Sequence, residues 1–73
     1  MHLGERIKHQ RLTHRLTQQA LAKAIGVKRV TIATYERDQV RPSLAVMRRM
    51  AAVFGCTIEA LLDEETMTEA SGS

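Results

Sequence analysis

Apolar side chains recur every three or four positions from Leu3 to Leu62, and no β-branched run alternates with polar residues, so the pattern is that of helices burying one face. Five helices are predicted. The first runs from Leu3 to Arg15, with Leu3, Ile7 and Leu12 inward and Arg6, Lys8 and Arg15 outward. Thr17 is placed to cap a second helix, Gln18–Ile25, by accepting a backbone N–H of its first turn, and Gly26 ends it where a left-handed residue is needed. A third helix covers Lys28 to Arg37. Ile32, Tyr35 and the stem of Glu36 share one side of it, while Val30, Ala33, Thr34 and Arg37 share the other. Pro42 holds Arg41 extended and Ser43 caps a fourth helix, Leu44–Phe54, which is expected to bury Leu44, Met47, Ala51 and Phe54 and expose Arg48 and Arg49. After Gly55, Thr57 caps a short fifth helix through Leu62, with Glu59 in its positive first turn.

These elements make residues 1–63 one all-α domain, a compact five-helix bundle around a central helix-turn-helix. From Asp63 onward the chain has little to bury, so residues 64–73 are expected to be a disordered acidic and polar tail. With 73 residues and only Tyr35 and Phe54 as aromatics, the core must be small and aliphatic. A chain of this size buries only about 60% of its unfolded surface.

Charge sharpens the picture. All 11 Lys and Arg lie within residues 1–49, where Glu5, Glu36 and Asp38 oppose them and leave a net of +8. Residues 50–73 hold five acids and no cation, which brings the whole chain to +3. Clustered cations are what counterion release from DNA rewards. A solvated helical surface rich in arginine would look the same by charge alone, so the decision falls to the motif.

Other chemistries find little support. His2, His9 and His14 have no Cys, Asp or Glu at ligand spacing, and Ser43 and Ser71 have no base partner, so neither a metal site, a cofactor nor an enzyme is expected. The single cysteine, Cys56, reads as a small hydrophobe before the last helix and fits a reducing cytoplasm. No apolar stretch is long enough to span a membrane.

The informative segment is Gln18 to Arg37, two short helices closed on each other. Small Ala22 lets them approach, Ile25 and Ile32 fill the angle, and Gly26 makes the turn. The outer face then presents Lys28, Arg29, Val30, Thr31 and Thr34 to a groove. Arg29 can offer two parallel donors to guanine, Val30 can pack on thymine methyls, and the threonines can donate or accept. The free N–H groups at Thr17 and Gln18 point where a phosphate would sit, and Arg41 is a further phosphate candidate.

The set Gln18, Ala22, Gly26 and Ile32, with Tyr35-Glu36-Arg37 and Arg41-Pro42-Ser43, resembles the Cro and repressor type of phage and bacterial helix-turn-helix regulators. The resemblance covers Leu3 to Leu62. It implies base contacts from Gln18, Lys28, Arg29, Val30, Thr31 and Thr34, and phosphate contacts from Arg11, Thr17, Arg37 and Arg41. It also implies an ion pair between Arg11 and Glu36 that fixes the recognition helix; without it they would be two surface charges worth little. The chain departs from many relatives in carrying Lys28 where a small hydroxyl would cap the third helix. The glutamines with which some of them read DNA are here Arg29 and Val30.

Such a fold is expected to act as a homodimer on a palindromic operator in double-stranded DNA, with Val53, Ile58, Leu61 and Leu62 as interface candidates. The functional expectation is a stand-alone transcription regulator, repressor or autoregulator, with RNA polymerase as a further partner for Arg37 or Arg41. The competing class is a protein-binding module, for example an antitoxin whose acidic tail and last helix grip a basic toxin.

Overall fold

The computed structural model describes residues 2–62. The tail expected at 64–73 and Asp63, the last position of the expected domain, lie outside the described residues. Four helices follow in order, α1 (Leu3–Thr13), α2 (Gln18–Ile25), α3 (Arg29–Glu36) and α4 (Leu44–Phe54). Residues 58–62 form α5. No helix among the described residues is long and apolar enough to cross a membrane.

The boundaries follow from local chemistry. Thr17 Oγ1 accepts the Ala20 N–H at 3.0 Å, Ser43 Oγ accepts Val46 N–H at 3.2 Å, and Thr57 Oγ1 accepts Ala60 N–H at 3.0 Å. Each side chain occupies one N–H that the first turn leaves without a helical partner. The other ends of α1 to α4 share one device, a left-handed residue followed by an N–H that reaches back five positions. Leu16 N–H donates to Arg11 C=O, Val27 to Ala22, Gln39 to Thr34 and Cys56 to Ala51, all at 2.9–3.0 Å. Gly26 (φ 77°) and Gly55 (φ 67°) provide two of the left-handed positions, but Arg15 (φ 56°) and Asp38 (φ 58°) provide the others. Those two lack glycine's freedom, which is why the sequence carries the first and third helices too far, to Arg15 and Arg37.

The core is Ile7, Leu21, Ile25, Ile32, Met50 and Leu61, joined by Leu3, Ala22, Tyr35, Met47 and Phe54. The third helix packs against both α1 and α2, and α2 also packs against α4. Three expected orientations are corrected. Leu12 is 55% exposed because the inward stripe of α1 runs Leu3, Ile7, Arg11 at steps of four, and Leu12 lies about 100° away from it. Ala33, expected on the outer face, is buried because α3 is covered on two sides. Leu44 stands exposed at the first position of α4, beyond the end of the core, and Met50 takes its place in a Met47, Met50, Ala51, Phe54 stripe. Cys56 lies half-buried against the core, in the turn before α5.

A contact without any sequence signal locks α1 to α3. A Cβ on Gly4 would lie 2.6 Å from both the Tyr35 and Glu36 carbonyl oxygens, so only glycine lets the first turn of α1 come this close to the end of α3. The Gly4 N–H donates to Asp38 Oδ1 at 2.9 Å. His2 precedes α1 without a side-chain cap bond, and Asp38, 34 residues beyond Gly4, serves one of the helix's free N–H groups instead. Gly4→Ala is therefore expected to destabilise the fold by about 1–3 kcal/mol, although alanine is the better helix former. Thermal melting measures it, and an unchanged or raised Tm would refute the close fit.

Candidate nucleic-acid interface

Thr17 fixes the start of α2 and Gly26 turns the chain within a few residues into α3. Lys28 precedes α3 in an extended conformation and makes no side-chain cap bond, as its chemistry requires. Its carbonyl accepts Thr31 N–H at 3.0 Å and Ile32 N–H at 3.3 Å, so the helix begins on backbone bonds alone. Lys28, Arg29 and Val30 are exposed, Val30 to 58%, while Thr31 and Thr34 are half-buried beside them. Thr34 Oγ1 donates to Thr31 C=O at 2.7 Å. Its only proton is thus engaged within the helix, which leaves lone pairs and a methyl group toward the outside rather than the adaptable donor expected from sequence.

Behind this face lies a chain of hydrogen bonds through three helices. Arg11 Nε donates to Glu36 Oε2 at 2.6 Å and Arg11 Nη2 to Glu36 Oε1 at 3.3 Å, a two-pronged ion pair whose side chains are 9% and 5% exposed. Arg11 Nη1 donates to Leu16 C=O at 2.8 Å and so also holds the turn into α2. Glu36 Oε1 accepts from Gln18 Nε2 at 3.1 Å, and Gln18 Oε1 accepts from Arg29 Nη1 at 3.3 Å. The pair implied by the resemblance is present, and it is buried rather than two independent surface charges. The Arg11 guanidinium, expected to meet a phosphate as well, is turned onto Glu36 and the Leu16 carbonyl and the residue is 7% exposed.

The other expected residues fall in several places. Thr17, Arg37 and Arg41 are exposed, with Arg37 at the end of α3 and Arg41 in the connection to α4. Leu61, expected at a dimer interface, is 1% exposed and belongs to the core, because α5 is short and its most inward side chain closes the base of the bundle. Val53 and Leu62 are half-buried against that core, and Ile58 is half-buried at the start of α5. Sequence reading missed Arg49, whose Nη1 donates to the Ile25 carbonyl at 3.3 Å and puts a cation at the negative end of α2, beside the turn. It also missed the exposed Val40 and Leu44 that flank Pro42. No cluster of His, Cys, Asp or Glu suited to a metal ion occurs among the described residues.

A capped α2, a tight left-handed turn and an α3 with one cationic and apolar face outward define a helix-turn-helix domain of the repressor type. Comparison with known proteins agrees. The helix-turn-helix family model matches residues 7–61. The chain is 37% identical over 67 residues to the immunity repressor protein of Bacillus phage phi105, an alignment spanning 92% of this chain and 46% of that protein. It thus covers about half the length of that relative. An uncharacterized HTH-type transcriptional regulator of Methanocaldococcus jannaschii is 43% identical over 57 residues, 78% of this chain and 86% of that one. In structure the chain is similar to the P22 c2 repressor crystallised with a synthetic operator (TM-score 0.80, 31% identity, 85% of this chain and 94% of that chain). A chain of the SinR–SinI complex gives TM-score 0.81 at 29% identity, covering 92% of this chain and 66% of that one. The chain belongs to the helix-turn-helix family of Cro and C1-type regulators.

Removing one partner of the buried pair leaves a desolvated charge, so Glu36→Gln is expected to cost about 3–5 kcal/mol, enough to unfold much of a domain this small. Replacing Arg11 and Glu36 together by Met should cost far less, since no charge is then stranded. Urea denaturation of both variants checks the order, and a Glu36→Gln protein as stable as the parent would mean the pair holds nothing.

Proposed function

We propose that this helix-turn-helix transcriptional regulator is a homodimer that lays α3 of each subunit in the major groove of a palindromic operator. Two-fold related half-sites would lie roughly one helical turn, about 34 Å, apart. The observation that carries the reading is the exposed run Lys28, Arg29, Val30 at the start of α3, with Gln18 from the start of α2 bonded to Arg29 beside it. An apolar side chain open to solvent next to two cations is poor design for a solvated helix and good design for a thymine methyl in a groove walled by phosphates.

In this arrangement Arg29 reads a guanine, Val30 a thymine methyl, and Lys28, Thr31 and Thr34 the adjoining edges. Thr17, Arg37 and Arg41 meet phosphates and set the register. Arg11 acts from behind the face by holding Glu36. Ile58, with the outer parts of Val53 and Leu62, supplies the subunit contact. A second reading, a module that binds a protein partner such as a basic toxin, draws support from the likeness to a chain of the SinR–SinI protein complex.

Binding to the DNA upstream of the protein's own gene, compared with random DNA across a salt series, separates the two. A regulator shows strong preference and a steep salt slope, whereas equal weak binding to both favours the protein-binding module. Arg29→Ala should cost about 1–3 kcal/mol and relax discrimination at one base pair, and a loss uniform over all sequences would remove Arg29 from base reading. Ile58→Glu should raise the dimer dissociation constant in sedimentation; an unchanged constant moves the interface elsewhere.

A further inference from the structure

The side of α1 turned away from α3 carries a cation in an unexpected setting. Gly4 and Arg11 make the contacts with α3, and at 100° per residue Arg6 stands about 150° around the helix from either. Arg6, expected outward, is half-buried, and its Nε is out of reach of solvent. Gln10 and His14 follow it at steps of four, Gln10 half-buried and the His14 ring against that of Phe54, their centroids 5.6 Å apart. Phe54 ends α4, and α5 starts at Ile58. Leu61 of α5 then shares the core cluster with Leu3 and Ile7, which neighbour Arg6. The chain thus leaves the His14 end of α1 and is drawn toward the half that holds Arg6. The step from His14 back to Arg6 is about 12 Å along the axis, the order of distance that a short turn and five helical residues cover.

Leu62 is followed in the sequence by Asp63-Glu64-Glu65, three consecutive acids. All three lie within about 11 Å of extended chain from Leu62. A guanidinium withdrawn from water is costly unless an anion stands beside it, and the positions three and four residues from Arg6 on α1 are His2, Leu3, His9 and Gln10, none of them an acid. Place, reach and charge agree on one occupant. We propose that the Arg6 flank of α1 is the docking surface for Asp63-Glu64-Glu65 of the same chain. Docked there, the three carboxylates are kept on the side of α1 opposite α3 and do not compete with DNA phosphates for Lys28, Arg29 and Arg37. That consequence, though not the docking, rests on the reading of α3 as the helix that faces DNA.

A double-mutant cycle in the full chain tests it, with Arg6→Gln, the triple variant Asp63→Asn/Glu64→Gln/Glu65→Gln, and the two combined. Neutralising the acids should lower the folding equilibrium constant in urea about three- to tenfold in the parent and leave it unchanged in the Arg6→Gln protein. Equal losses in both backgrounds would separate the acids from Arg6 and overturn the docking. A coupling that vanishes on tenfold dilution would overturn it too, because the occupant would then be a second copy. On random-sequence duplex, Arg6→Gln should bind about two- to threefold more weakly than the parent and recover when the acids are neutralised as well. A drop that persists without the acids would assign Arg6 to a phosphate and refute the docking, whereas an unchanged affinity removes only the consequence for DNA. Should Arg6→Gln fail to fold, NMR of the Arg6 Nε–H, shielded from exchange by burial, decides the matter. Its resonance should move when the three acids are neutralised while that of Arg11 stays, and an unmoved Arg6 signal sinks the proposal.

Discussion

The ion pair between Arg11 and Glu36 is the interaction on which the rest of this small domain depends. It replaces what would otherwise be an apolar contact at the third step of the α1 stripe, and it does so with four oriented bonds centred on one guanidinium and one carboxylate. Hydrophobic contact alone would hold α1 and α3 together but would not decide how they are rotated. A two-pronged bond has one geometry. Because the same guanidinium holds the Leu16 carbonyl and the same carboxylate holds Gln18, the first turn of α2, the last turn of α3 and the turn between α1 and α2 are set by a single constraint. The outer face of α3 inherits its rigidity from a pair of charges it does not display.

Around that centre the chain is shaped by helix ends. The helices among the described residues are eleven residues long at most, too short to persist by propensity, so tertiary contact and end chemistry must hold them. Three hydroxyl caps at the starts and four left-handed closures at the ends answer the backbone groups that short helices leave open in greatest proportion. Asp38 shows how these devices combine. It closes α3 in a left-handed conformation that a residue other than glycine adopts at some cost, and its carboxylate then serves the N–H of Gly4 in another helix. The strain and the long-range bond belong to one residue.

What could be read in the sequence was what is decided locally. Thr17, Gly26, Ser43 and Thr57 mark their helix ends by their own side chains or lack of one, and α2 and α4 are bounded as expected. The Gln18-to-Arg37 segment was legible for the same reason, since a tight turn between two helices needs small and flexible residues at fixed offsets. What failed was decided by partners far along the chain. Polarity argued for Leu12 inward, yet the Glu36 carboxylate draws Arg11 into that place and leaves Leu12 exposed. Leu61 is more apolar surface than a short helix needs by itself, but a core this small uses it. Gly4 carries no turn signal at all, because its role is to make room for two carbonyl groups more than thirty residues away.

The bonds that join α1 to the far end of α3 span 25 residues from Arg11 to Glu36 and 34 from Gly4 to Asp38. On the ribosome these partners do not appear together. At about 5–20 residues per second, α1 waits on the order of seconds before its counter-charge and its cap are made. Through that interval it is a short segment whose inward stripe contains a bare arginine, with no partner to hold it in shape. The outer face of α3 can then take its final setting only as the last part of that helix is delivered, so an arrested or truncated chain ending before Glu36 carries the start of α3 without the means to aim it.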